Sequence, residues 1–278
     1  MNVHAIPIYQ DNYVWIMVHP YKPHVIVVDP GDAKPVKQWL RQHDIKAIDA
    51  ILITHHHWDH TTGLAELLQD NQIPLYAPDR IIQKYSKYSN PKYTMSMQQS
   101  ISIPHWPLKI QVEMTPGHTY DHISYIVRHT QEVLDSASSQ HKVDTTRIFC
   151  GDTLFAAGCG RIFDGSNETL YNSLQLLASY PAESSLYCAH EYTLNNLNFA
   201  LTIDPNHELT LQRLQQVQGW RAQNLQSLPT TIALELATNP FLRCNEIQIA
   251  NRVSQLTKTI CTPGLETFIA LRALKDKH

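Results

Sequence analysis

The stretch Thr54-His55-His56-His57-Trp58-Asp59-His60-Thr61-Thr62-Gly63 decides how this chain is read. The residues before it, Ile48–Ile53, are short and apolar, the pattern of a buried parallel strand. If the chain stays extended beyond that strand, His55, His57 and Asp59 project to one side, while His56 and Trp58 project to the other. His60 follows beside Thr61 and Thr62, either of which can cap a helix over Gly63–Asp70. Three donors from one side of a loop and a fourth from a helix start can surround two metal ions. The His-Glu-x-x-His spacing that holds a single zinc on one helix is absent. The bland alternative, a solvated His-rich loop or adventitious metal tract, explains neither the alternation nor the strand–loop–helix setting.

Two metal ions need further donors, and three strand ends offer them. Met114–Thr119 sets His118 on a Pro-Gly turn after the alternation Ile110–Val112–Met114. Arg147–Asp152 is a short strand ending on a carboxylate, and Leu186–His190 is an apolar strand ending on an imidazole. Layered α/β folds place their binding sites at such strand ends. Each of these alone reads more readily as a hydrogen-bonded structural residue; with the first motif they make seven donors.

The order His-x-His-x-Asp-His, then Gly-His, then Gly-Asp, then a late strand-end His resembles the metallo-β-lactamase superfamily. Within it, the chain looks like the glyoxalase II, or hydroxyacylglutathione hydrolase, family. The shared segments are Thr54–Gly63, Pro116–Tyr125, Gly151–Arg161, His190–Asn196, Asn239–Arg243 and Arg272–Asp276, so the resemblance spans nearly the whole chain. It implies an α/β fold, a four-layer αββα sandwich with a small all-helical C-terminal domain. It implies that one metal takes His55, His57 and His118, and the other Asp59, His60 and His190. Asp152 bridges them with a water or hydroxide, and Asp59 and Asp152 are the catalytic carboxylates. Imidazole and carboxylate without thiolate suit zinc, iron or manganese, with two divalent ions per subunit, zinc first. Cys150, Cys159 and Cys188 fit buried strand or turn positions and are assigned no ligand role.

The implied activity is hydrolysis of S-D-lactoylglutathione and other S-acylglutathiones to D-lactate and glutathione, the second step of methylglyoxal detoxification. The chemistry is compatible. Metal-activated hydroxide can attack an acyl carbon at neutral pH, and a thiolate with a free pKa of ~8.5 departs without a proton donor. The resemblance assigns Arg272 and Lys275, three apart on the last helix and so on one face, to the glycyl carboxylate. It assigns Tyr192 to the peptide and Arg161 to a position beside the substrate. Without it, Arg272 and Lys275 read as a solvated helix end favoured by the dipole. The chain departs from the family's pattern at Phe163, where some members have Tyr, and at Asp121, where Gly is frequent and a left-handed backbone is expected.

The rest of the chain is consistent with this. Its 278 residues, 43% hydrophobic, allow one large domain and one small one, with the boundary near 190: residues 1–190 for the metal domain and 191–278 for a helical, glutathione-binding domain. No run approaches a membrane span, and the start Met-Asn-Val-His-Ala-Ile-Pro lacks the regions of a secretory signal. Five unpatterned cysteines fit a reducing cytoplasm. A net charge of −3 without aromatic–basic interleaving does not suggest nucleic acid, and no obligatory protein partner is inferred. Early strands are predicted at Val3–Ile8, Tyr13–Val18 and His24–Val28, with Asp29-Pro30-Gly31 as a turn and Gln131–Thr146 as a hairpin tip. Helices are predicted over Ala33–Gln42, Thr62–Gln69 and Glu168–Ser179. After His190 the helices are Leu194–Leu201, Leu209–Asn224, Thr231–Ala237, Glu246–Leu256 and Leu265–Lys275. The rival readings are a β-lactamase or lactonase, which has no use for the helical tail, and a tRNA-processing nuclease, which needs a basic surface. A persulfide dioxygenase would use a single iron, and a non-catalytic metal carrier would not need all seven donors.

Overall fold

A computed structural model describes residues 1–69, 73–88, 100–129 and 146–278; the predicted hairpin tip at 131–145 lies outside the described residues. Two compact units result, Met1–Met114 with Asp121–Gly151, and Thr115–Tyr120 with Asp152–His278. The chain therefore passes between these units at 114/115, 120/121 and 151/152.

The first unit contains a sheet in the order β1 (Asn2–Ile8), β2 (Asn12–Val18), β3 (His24–Val28), β4 (Ala47–Leu52), β5 (Leu75–Tyr76). The first three strands are antiparallel hairpin neighbours, and β3, β4 and β5 run parallel. Helix α1 (Ala33–Gln42) makes the crossover from β3 to β4, begun by the Asp32 carboxylate accepting from the Lys34 amide at 2.9 Å. Val25–Val28 and Ala50–Ile53 are almost wholly buried, which is why these strands read as unbroken apolar runs. A core of Ile6, Ile16, Val27, Ile51, Leu64 and Ile81, among others, packs this sheet against α1, helix α3 (Leu64–Leu68) and helix α4 (Asp79–Lys84). Four more strands, β6 (Ser100–Ile101), β7 (Leu108–Met114), β8 (Ile123–His129) and β9 (Arg147–Gly151), pair antiparallel in the order β9-β8-β7-β6. The buried Tyr125 of β8 ties them to the first sheet. Its hydroxyl lies 2.9 Å from the Ile53 carbonyl and 2.8 Å from that of Tyr76, at the ends of β4 and β5.

The segment after β4 departs from expectation in one respect. A short helix, α2 (Trp58–Thr61), starts four residues earlier than the predicted Thr62 and is followed by α3. Neither Thr61 nor Thr62 is therefore an N-cap: Thr62 closes α2, and Gly63 precedes α3. Their hydroxyls donate back to the carbonyls of His57 and Trp58, at 2.9 and 2.6 Å, as threonines inside a helical turn do. Strand-like alternation consequently stops at His57, and helical geometry sets the direction of Asp59 and His60.

The second unit begins with a tight hairpin, β10 (Leu154–Phe155) and β11 (Gly158–Cys159), and continues through α5 (Asn167–Ala178), β12 (Ser185–Cys188) and five helices. Ser166 and Thr169 form a reciprocal cap on α5. The helices α6 (Thr193–Ile203), α7 (Glu208–Ala222), α8 (Ile232–Thr238), α9 (Ile247–Thr257) and α10 (Leu265–Lys275) all lie within two residues of their predicted ends. A two-residue strand, β13 (Thr230–Thr231), pairs with β12 and was not foreseen, being too short for periodicity to register. A buried polar cluster fastens the hairpin to the helices. Glu235 takes the Arg213 guanidinium at 2.6 Å, the Ala157 amide at 2.7 Å and the Asn239 amide at 3.0 Å. Asn239 also donates to the Phe155 and Gly158 carbonyls, at 3.2 and 2.9 Å. The motif Asn-Pro-Phe-Leu-Arg is thus a brace: Asn239 grips the hairpin, and the buried Arg243 pairs with Asp204 and Glu246 at 3.0 and 2.9 Å. Among the described residues no helix is long and apolar enough to cross a membrane.

Candidate metal centre

In the first unit the donors stand at the C-terminal end of β4, and their outer partners come from the end of β3. Asp29, buried and held at φ 51°, presents both carboxylate oxygens to the segment after β4. Its Oδ1 accepts the Thr54 amide at 2.8 Å; its Oδ2 accepts the Thr54 hydroxyl at 2.8 Å and lies 3.0 Å from His60 Nδ1. These contacts settle two tautomers. The Thr54 hydroxyl has given its proton to Asp29, so at 3.1 Å it can only accept from His55 Nδ1. His60 Nδ1 likewise donates to Asp29. Both imidazoles are left with an unprotonated Nε2, the state a metal ligand needs. His55 Nε2 lies 3.0 Å from His57 Nδ1, and His60 Nε2 lies 3.6 Å from Asp59 Oδ2. Asn12 donates to that Asp59 oxygen at 2.8 Å. Gly31 lies so close that a Cβ there would fall 1.8 Å from the Asp59 carbonyl oxygen. His56 stands apart from the set, facing Asp121 at 3.5 Å and Arg80 at 3.3 Å.

The second unit carries the other three. His118 Nδ1 lies 2.6 Å from the Arg161 carbonyl, which can only accept, so in the neutral ring the proton sits on Nδ1 and the lone pair on Nε2. That Nε2 lies 3.5 Å from Asp152 Oδ2, and His190 Nε2 lies 3.3 Å from the same oxygen. Tyr192 stacks flat on the His190 ring (4.6 Å, 9°), and Phe155 sets its edge against both. Phe163 presses edge-on to His118 at 5.1 Å, so the aromatic wall is kept although the phenol hydroxyl is not.

These spacings suit divalent ions. Two ligands each at about 2.0–2.1 Å from a tetrahedral zinc are about 3.3 Å apart. The donor pairs lie at 3.0 and 3.6 Å in the first unit and at 3.3 and 3.5 Å in the second. Where both facing atoms are unprotonated, as His60 Nε2 and Asp59 Oδ2 are once His60 Nδ1 donates to Asp29, a cation between them relieves the repulsion. Among the described residues, the candidate ion-binding groups draw on His55, His57, Asp59 and His60 in the first unit and His118, Asp152 and His190 in the second. No cysteine is among them; Cys150, Cys159 and Cys188 are buried, and burial pushes Cys188 up to about 12.

A cavity of about 320 Å³ in the second unit is lined by Phe155, Arg161, Tyr192, Asn195, Arg272 and Lys275, among others. Arg161 is open to solvent and 3.4 Å from Asp276. Lys275 donates to Asn195 at 2.5 Å, and burial, then the neighbouring Arg272, brings it down to about 8. Arg272 is only 6% exposed and spends its guanidinium on the Cys159 and Gly160 carbonyls and on Asp276.

Sequence reasoning missed Asp29, taken as a turn residue, although an Asp closing the parallel strand beside the donor-bearing one was the available signal. It missed Asn12 and the clamping by Arg272, for which no local signal exists. The left-handed backbone expected at Asp121 is not found: the chain turns at Tyr120 and Asp121 without a positive φ at either residue.

The family model "Metallo-beta-lactamase superfamily" matches residues 12–190, which sets the class of the fold, and "Hydroxyacylglutathione hydrolase C-terminus" matches residues 191–278. A hydroxyacylglutathione hydrolase of Nitrosomonas europaea is 40% identical over 99% of this chain and 96% of its own. One of Saccharophagus degradans is 38% identical over the same shares. The crystal structure of ETHE1 from Myxococcus xanthus, 20% identical, covers 99% of this chain and 100% of its own with a TM-score of 0.58, a likeness of fold. The chain belongs to the hydroxyacylglutathione hydrolase family of the metallo-β-lactamase superfamily, and is an enzyme of that family.

Proposed function

We propose that this enzyme hydrolyses S-D-lactoylglutathione and related S-acylglutathiones to the hydroxy acid and glutathione. The observation that carries the reading is the family match running through both the metal-domain and the C-terminal segments. In this proposal one ion is held by His55, His57 and His118, the other by Asp59, His60 and His190, with Asp152 shared. When bound, two divalent ions, zinc by preference, supply hydroxide at neutral pH and an electrophile for the acyl oxygen. The protein's own contribution is placement. Asp29, Thr54 and the Arg161 carbonyl hold the imidazoles in the tautomer that binds metal. Asn12 orients Asp59, and Tyr192, stacked on His190, is the residue proposed to meet the peptide.

Residues 191–278 are proposed to bind glutathione, with Arg161, Arg272 and Lys275 meeting its carboxylates. A thiolate leaves without protonation, so the absence of a general acid from this assignment is no obstacle. The cytoplasm is the proposed setting, supported by five cysteines that form no disulfide. Turnover of S-D-lactoylglutathione is the test, set against a lactam, a lactone and glutathione persulfide. Metal-loaded protein that ignores the thioester and cleaves the lactone, or oxidises the persulfide, overturns the reading.

A further inference from the structure

We infer that Arg272 is a positioning residue for the metal centre, acting through the segment Cys159–Arg161, beyond the carboxylate-holding role proposed above; the inference rests on the metal-centre reading. A guanidinium kept only for an incoming carboxylate would leave its fork open, as Arg161 does with 61% of its side chain exposed. Arg272 does not. One terminal nitrogen donates to the Cys159 carbonyl at 3.0 Å and the Gly160 carbonyl at 3.3 Å; the other donates to Asp276 at 3.1 Å. Beneath it the Phe241 ring lies 5.2 Å away, which fixes the plane of the fork.

The strip gripped in this way backs two of the proposed ligands. The next carbonyl along, that of Arg161, accepts a hydrogen bond from His118 Nδ1 at 2.6 Å and so sets the ring's tautomer and orientation. The Gly160 amide donates to the Thr153 carbonyl at 3.0 Å. A Cβ on Gly160 would lie 1.9 Å from the Asp152 carbonyl oxygen, so the strip runs hard against the backbone that carries Asp152. The Phe163 amide closes the same loop onto the His118 carbonyl at 3.1 Å. Releasing the two carbonyls from Arg272 frees the strip to shift, and both His118 and Asp152 lose the backing that orients them. Loss of such outer partners typically weakens metal binding by about 10–100-fold. Arg272 stands one link further out, which places its effect at the lower end.

The experiment measures zinc affinity of the substrate-free protein by competition with a chromophoric chelator, for the parent, Arg272→Met, Arg272→Lys and Lys275→Ala. Arg272→Met is expected to bind zinc about tenfold more weakly. Arg272→Lys keeps the charge and the stem over Phe241, so it folds and recovers part of the loss. Lys275→Ala, one turn along the same helix, raises KM for the thioester and leaves zinc affinity unchanged. Parental zinc affinity in both Arg272 variants, with only KM raised, would overturn the inference while leaving the metal centre standing. A parent protein that binds no zinc removes the metal-centre reading itself, and this inference with it.

Discussion

Replacing Asp29 with asparagine tests the proposed role of the β3 end in preparing the metal donors. The side chain keeps its size, but one acceptor oxygen becomes an NH2 donor. Three donors point at the carboxylate at 2.8, 2.8 and 3.0 Å, from the Thr54 amide, the Thr54 hydroxyl and His60 Nδ1. Asparagine can satisfy one side only, so at least one hydrogen bond to a buried charged group is lost, worth about 1.5–3 kcal/mol. If its NH2 faces His60, the imidazole must accept at Nδ1 and carry its proton on Nε2, which removes the lone pair that would meet metal. Metal affinity should then fall about 10–100-fold, or about 1.4–2.8 kcal/mol. Chelator competition on the substrate-free variant reads the affinity, and urea unfolding of the metal-free variant reads the stability. An Asp29→Asn protein with parental metal affinity would refute the tautomer argument, whatever its stability.

Three further outcomes are expected. Lys275, brought down to about 8 by burial, is charged below that pH and neutral above it. Inhibition by a non-hydrolysable S-alkylglutathione should therefore weaken as pH rises through about 8, and Lys275→Met should abolish that inflection; an inflection kept in the variant counts against Lys275 as its source. Glu235→Ala strands the buried Arg213 guanidinium and should destabilise the fold by about 3–5 kcal/mol in urea unfolding, and a loss below about 1 kcal/mol would show the cluster to be unimportant. Chelation should abolish thioester cleavage and zinc should restore it, with two equivalents per chain by elemental analysis; full activity at one equivalent would sink the binuclear assignment.

The candidate donors His55, His57, Asp59 and His60 were legible because their signal is local: the apolar run Ile48–Ile53 leads directly into the alternation and helix start of Thr54–Gly63. The five C-terminal helices were legible for the same reason, since periodicity and breakers act within a helix's own length. Where local rules compete, the reading slipped. Thr61 and Thr62 suit a cap, but the chain had already entered a helix at Trp58, and their hydroxyls turned back to His57 and Trp58 instead. Nor does anything near Arg272 in sequence announce its partners, which lie 113 and 112 residues away at Cys159 and Gly160.

The sequence by itself named the candidate metal-binding groups and the segments that carry them, because donor chemistry and strand or helix pattern reside in neighbouring residues. Only the tertiary structure decided which nitrogen of His55, His60 and His118 carries the proton. That choice depends on Asp29 reaching across from an adjacent parallel strand and on an Arg161 carbonyl 43 residues from the ring it fixes. Hydrogen bonds between distant segments form after the chain has folded, and no local pattern encodes their ends.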